Sequence, residues 1–243
     1  MQCLPEELLI ATIADLLLGC RTVAVGVSSP IPGSAALLAR AQSSQPLRVE
    51  LLESLHGNSF TRGSVELFDR AAQGRIDAFF LGGGQIDGLG NINLVGAGEY
   101  PAGSVRWPGS FGSSYLYFLV PRVILFREEH SRRVLVPRVD FVSAPGVSEP
   151  GVFRRGGPYA LITSKAAFLF DAENCRFRLS SIHPGHTLEE VLDNTGFEFD
   201  YTAAPAETSS PSAATLATIR GSVAGEIAAA YPQFAARVFP RHQ

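Results

Sequence analysis

Three stretches concentrate residues able to do chemistry. In "FFLGGGQIDGLGNINL", Gly82, Gly83 and Gly84 directly follow an apolar run, and Gln85, Asp87, Asn91 and Asn93 come next. Consecutive glycines permit positive φ and close backbone approach, so adjacent N–H groups can line a site for an anion or a polarised carbonyl. An ordinary turn with Asx caps fits the glycines equally well. The spacing matches neither a P-loop nor a dinucleotide-binding fingerprint. "RWPGSFGSSY" brings Arg106 for a phosphate or carboxylate, and Gly109, Gly112, Ser113 and Ser114 as donors to an oxyanion. Taken without a partner motif, it reads as a surface loop with Trp107 packed against the domain. "LLESLHG" sets Glu53 and His56 about the apolar Leu55.

Other chemistries lack their residues. His183 and His186 are neighbours, yet no further histidine, cysteine or carboxylate stands at ligand spacing, which argues against a metal site. There is no G-x-S-x-G, so a serine hydrolase is not supported. Cys3, Cys20 and Cys175 are odd in number and scattered, unlike a disulfide scaffold or zinc site. A net charge of −3 gives no pull toward nucleic acid or anionic membrane. The first twenty residues carry Glu6, Glu7 and Asp15 and read as an amphipathic helix instead of a signal peptide. "SYLYFLVPRVILF" is broken by Pro121 and Arg122 and is too short for a membrane span. A cytoplasmic protein is expected.

These stretches need a scaffold. The chain of 243 residues, 46% hydrophobic, suits a single α/β domain over 1–243. Periodicity predicts a helix over 5–18 with Leu8, Leu9, Ile13, Leu16 and Leu17 on one stripe, then a strand at "TVAVGV". "SSPIPGSAALLARAQ" predicts a helix with capping serines and an early Pro32, burying Ala36, Leu37 and Ala39. "LRVELLES" returns to strand, "SVELFDRAAQG" to helix and "IDAFFLG" to buried strand. The alternation implies a mostly parallel sheet covered on both faces, with its working surface in the loops at strand ends. The second half reads as additional strands, some antiparallel: "YLYFLV", "RVILF", "RRVLVPRVDFVS", "YALITS", "AAFLFD" and "CRFRLS", the last near an edge. "REEHSRR" reads as a solvated hairpin connection. Thr187 and Glu190 form a capping box for a short helix ended by Gly196. A C-terminal helix through Leu216, Ile219, Val223 and Ile227, bent near Gly221, completes the pattern.

In order along the chain, these segments resemble the β subunit of the class I CoA-transferase family. "GGGQIDGLGNINL" is similar to the family's G-x-x-Q-x-D-x-x-G-N-x-N, and "REEHSRRVLVPRVDFVSAPG" to its M-E-H-x-x-x-x-F-V-x-x-V-D-F-x-T-x-P-G. "GPYALITSKAAFLFD" and "HPGHTLEEVLDNTGFEF" extend the likeness. The resemblance implies an α/β CoA-transferase-like fold, an acyl-CoA substrate that carries its own coenzyme A with no other cofactor, and an α subunit of the same family in an α2β2 assembly.

It also implies a choice of reaction. Family transferases use a glutamate in E-S-E-N-G or E-S-G that becomes an enzyme-bound CoA thioester. Against the longer template that residue is Leu55, which cannot form a thioester; against the shorter one it is Glu53. The family's G-x-G-G-A-x-D loop is altered to Gly109-Ser110-Phe111-Gly112-Ser113-Ser114. The combination is similar to a branch in actinobacterial steroid degradation that opens a residual ring of a CoA ester by hydrolysis. On that reading, residues 82–84, Gln85, Asn91, Asn93, Arg106, Gly109 and Gly112 serve substrate, CoA or an oxyanion. His56, Glu53 or a partner carboxylate activates water, the partner carboxylate being preferred. The alternatives are a CoA-transferase with Glu53 as nucleophile and a non-catalytic scaffold completing the partner's CoA site.

Overall fold

The structure is a computed structural model that describes residues 3–54 and 57–240. By internal contacts the chain forms two compact units, one of Met1–Leu67, Arg75–Phe80 and Ser209–Gln243, the other of Phe68–Gly74 and Leu81–Thr208.

The first unit is built on parallel strands. β1 (Thr22–Val25) pairs in parallel with β2 (Arg48–Leu51) on one side and β3 (Ala78–Leu81) on the other. α1 (Pro5–Leu16) buries Leu8, Leu9 and Ile13 as the stripe predicts. α2 (Pro30–Gln42) is buried continuously from Ile31 to Ala39, because it lies against α1, both strands and the C-terminal helices. Its small residues make that possible. A Cβ on Gly33 would come within 3.0 Å of Ile227 and 3.5 Å of Leu51. The predicted serine cap is corrected: Pro30 occupies the first turn, and the Ser29 hydroxyl donates to the Val27 carbonyl at 3.1 Å instead of capping the helix.

The C-terminal segment runs as α6 (Ala213–Thr218), a π-helical turn at Ile219–Val223, α7 (Ala224–Ala230) and α8 (Pro232–Val238). Leu216, Ile219, Val223 and Ile227 are buried along it, and Gly221 falls inside the wide turn. Arg220 of that turn grips the fully buried Glu7 with two hydrogen bonds, at 2.5 and 2.7 Å, and Glu7 also accepts from the Leu4 N–H at 2.9 Å. The buried carboxylate is thereby paired with a cation and hydrogen-bonded at both oxygens.

The second unit includes the end of α3 (Ser64–Ala72), two short antiparallel ladders and a mixed sheet. The ladders are β4 (Gln85–Ile86) with β5 (Ile92–Asn93), and β6 (Gly96–Ala97) with β7 (Val105–Arg106). In the sheet, β8 (Arg122–Phe126) lies parallel to β9 (Pro158–Ile162), and β9, β10 (Ala166–Asp171) and β11 (Arg176–Ile182) run antiparallel. The two-residue β12 (Ala206–Glu207) follows in parallel, so β11 lies one strand from the end, as its alternating pattern suggests.

Two predicted strands are corrected. "YLYFLV" is mostly helix, α4 (Ser113–Leu119), started at Gly112 and stopped before Pro121, with Leu116 and Tyr117 buried. Burial of one face outweighs the strand preference of its aromatics. "RRVLVPRVDFVS" forms no regular strand. Pro137 lacks a donor, and the backbone instead meets Ile86 on both sides, Ile86 N–H to Val134 O at 2.8 Å and Val136 N–H to Ile86 O at 2.9 Å. The capping box holds by half. Thr187 accepts from the Glu190 N–H at 3.1 Å, starting α5 (Leu188–Asn194), while the Glu190 carboxylate turns to Lys165 and His186. Among the described residues no helix is long and apolar enough to cross a membrane.

Candidate active site

The triple glycine leaves the end of β3 with ordinary φ at all three positions; close approach is what requires glycine here. A Cβ on Gly83 would stand 2.6 Å from Ile92 and 2.7 Å from the Gln85 carbonyl, and one on Gly84 would stand 2.3 Å from the Trp107 indole. The indole is seated against the backbone, and the Gly84 N–H donates to Asn93 O at 2.9 Å. Gly82 lies against the Phe126 carbonyl and the aliphatic stem of Arg127.

The amide and acid side chains after the glycines bond to one another and to the backbone. Gln85 donates to Asp140 Oδ2 at 2.9 Å and accepts from Asn93 Nδ2 at 2.8 Å and from the Asp140 N–H at 3.0 Å. Asn93, fully buried, also donates to Gly96 O at 2.7 Å and accepts from Val95 and Gly96 N–H. Asp87 accepts from the N–H groups of Leu89, Asn91 and Val139 and from the Asn91 amide. Asn91 Oδ1 takes the Gly146 N–H at 3.0 Å. Gln85, Asn91 and Asn93 therefore hold the loop's shape and tie it to residues 139–146. Asp140 is the member that spacing did not single out; its position in the V-D-F segment was the available signal.

In the second glycine loop, Arg106 is exposed and its guanidinium lies 5.5 Å from the Tyr100 ring centroid. Gly109 adopts φ +103° and donates to Leu94 O at 3.1 Å. Gly112 is held to glycine by Phe68, whose ring would be 2.1 Å from a Cβ there. Phe111 between them is 85% exposed at φ +45°, a conformation that costs a bulky residue energy.

Glu53 belongs to the first unit, beyond the carboxy end of β2. It is exposed, and its carboxylate accepts from the Ser28 N–H at 3.0 Å, beyond the carboxy end of β1. Ser28 has φ +54°, and the Ser29 N–H next to it donates to the Tyr231 hydroxyl at 3.2 Å. The loop around Glu53 is closed by Gly57 N–H to Ser54 Oγ at 2.7 Å and Asn58 Nδ2 to Ser54 O at 2.7 Å. Buried Glu50 secures its far side through the Ser59 N–H and hydroxyl, both at 2.6 Å. Leu55 and His56 lie outside the described residues.

The remaining histidines serve the second unit. His130, predicted on a solvated connection, is instead 4% exposed between the hydroxyls of Thr163 and Thr195, at 2.7 and 2.9 Å. His183 donates from Nε2 to the Thr163 carbonyl at 3.0 Å, which can only accept, so its Nδ1 takes the Thr208 hydroxyl proton at 2.8 Å. Burial is the main cause that lowers both imidazoles to about 4. Lys165 and His186 both bond Glu190, holding that carboxylate down at about 2, Lys165 contributing most. No group of three or more metal-ligating side chains is found among the described residues.

The first unit thus carries an acidic loop beyond the carboxy ends of its parallel strands, and the second unit carries glycine-packed loops. The chain belongs to the coenzyme A transferase family, whose profile matches residues 4–194. It is 33% identical over 153 residues to one subunit of the 3-oxoadipate CoA-transferase of Pseudomonas knackmussii, covering 60% of this chain and 58% of that protein. It is 30% identical over 159 residues to the cholesterol ring-cleaving hydrolase IpdB subunit of Rhodococcus jostii, covering 64% and 62%. The chain thus spans little more than half the length of the curated relatives it matches. The crystal structure of Rhodococcus jostii IpdAB superposes with a TM-score of 0.80 at 25% identity, covering 91% of this chain and 94% of that one.

Proposed function

We propose that this chain is the β subunit of a heteromeric hydrolase that cleaves a ring carbon–carbon bond of a cyclic β-diketone acyl-CoA, in steroid ring degradation. The observation that carries the reading is the state of the acidic loop. Leu55 stands where the longer family motif has its nucleophile, and the nearby Glu53 carboxylate accepts the N–H of strained Ser28. The IpdB and IpdAB likenesses support it.

In this reaction water adds to one ring carbonyl and gives an oxyanion. Collapse re-forms the carbonyl as a carboxylic acid and breaks the ring carbon–carbon bond; the electron pair leaves as an enolate of the second carbonyl, which takes a proton. The thioester stays intact, and no covalent enzyme intermediate is formed. The requirements are a base for water, donors for two oxyanions and an apolar pocket. The base is a carboxylate of the α partner, and the loops at 82–84 and 109–112 shape the acyl-CoA site. Coenzyme A arrives on the substrate, and no other cofactor is needed.

The likeness to the 3-oxoadipate transferase subunit, at 33% identity, favours a second reading in which exposed Glu53 attacks the thioester. Borohydride or hydroxylamine trapping during turnover separates the two. The hydrolase reading predicts no modified glutamate, and a glutamyl-CoA adduct at Glu53 would overturn it.

A further inference from the structure

We propose that Arg127 anchors an anionic group of the substrate beside Gly82, an inference that rests on the acyl-CoA reading. Arg127 is the first residue beyond β8, and its N–H donates to Ile162 O at 3.0 Å, extending the β8–β9 pairing by one step. Its stem passes Gly82, where a Cβ would lie 3.8 Å from Arg127 Cδ and 3.2 Å from the Phe126 carbonyl. A Cβ at 82 would press on the Phe126 carbonyl and meet the arginine stem at ordinary van der Waals distance.

The guanidinium is only partly satisfied. Its side chain is 36% exposed, yet Nε is buried and has no hydrogen-bond partner among the described residues. The nearest carboxylate, Glu129, is 3.9 Å from Nη2, beyond hydrogen-bond reach. Glu129 is engaged elsewhere, by the Ser131 hydroxyl at 2.6 Å and by Arg133 Nε at 3.1 Å. Arg176 also has a buried, unbonded Nε, but its Nη2 sits 3.0 Å from Asp200. Of the two, Arg127 lacks a close ion pair on its Nη groups, which leaves its Nη1–Nη2 edge as the one that meets a ligand.

A buried N–H without a partner is costly, and a guanidinium edge fits an oxyanion through two parallel hydrogen bonds. Carboxylate and phosphate satisfy it equally. An acyl-CoA offers phosphate on its nucleotide and, in some esters, a carboxylate at the far end of the acyl chain.

The test is titration of the assembled enzyme, wild type and Arg127→Gln, with free CoA, an acyl-CoA ending in a carboxylate, and its methyl-terminated analogue. An acyl-carboxylate anchor predicts that Arg127→Gln weakens only the carboxylated ester, roughly tenfold to a hundredfold. A phosphate anchor predicts the same loss for all three. Arg127→Lys keeps the charge without the fork and restores only part of the affinity; full restoration would overturn the paired geometry. A variant with wild-type thermal unfolding that binds every probe as wild type does would overturn the anchor. If wild type itself binds none of them, the acyl-CoA reading fails and the anchor with it.

Discussion

Asp87, 3% exposed, collects three backbone N–H groups and one amide. Asp87→Ala leaves those donors without their acceptor, with an expected loss of about 2–4 kcal/mol in urea unfolding at unchanged m-value. Glu53 should behave differently. Glu53→Gln keeps an oxygen acceptor for Ser28, so ring-opening turnover is expected to stay within roughly tenfold of wild type, whereas nucleophilic catalysis would lose far more. Trp107 is the single tryptophan of the chain and rests on Gly84. Its fluorescence is expected to shift when an acyl-CoA binds, and an unchanged spectrum at saturation would place the ligand away from this loop. At this scale the sequence named Gln85, Asn91 and Asn93 but not their orientation. Asp140, which binds Gln85, is 55 residues away along the chain, and spacing carries no information about such a partner.

Elements built from local periodicity were legible. The α1 stripe, the buried strand of "TVAV", the α5 cap and the C-terminal apolar face all follow from residues within one or two turns. α4 was not, because Tyr115, Tyr117 and Phe118 favour a strand locally, and only the contacts of Leu116 and Tyr117, including Tyr117 hydroxyl to Gly90 O at 2.8 Å, decide for helix. His130 and His183 fasten the β9–β10 connection to α5 and to Thr208, and they give the fold a pH dependence. Their folded values near 4 lie below the ordinary 6.5, so between these limits the unfolded chain binds more protons. Stability is therefore full above about pH 6.5 and falls as pH drops toward 4, by up to roughly 3 kcal/mol for each histidine. Urea midpoints at pH 7, 5.5 and 4.5 should decline in that order; a flat series would contradict neutral burial.

For the whole molecule, family membership rests on ordered segments across residues 4–194, while the proposed reaction turns on a few residues in one loop. That asymmetry explains why the fold was readable and the chemistry less so: many positions must cooperate to make the sheet, whereas the proposed change of reaction rests on a single leucine at 55. Assembly with an α subunit is expected, because the proposed water-activating carboxylate is not on this chain; the chain alone should show no turnover, and activity should appear on mixing. Product mass distinguishes ring-opening hydrolysis from transfer. The assembled enzyme is incubated with a cyclic β-diketone acyl-CoA in oxygen-18 water, with and without added acetate or succinate. Ring-opening hydrolysis predicts a product heavier by one labelled water with coenzyme A retained, whatever acid is present. Coenzyme A transferred to the added acid, with no label in the ring-derived carboxylate, would contradict it.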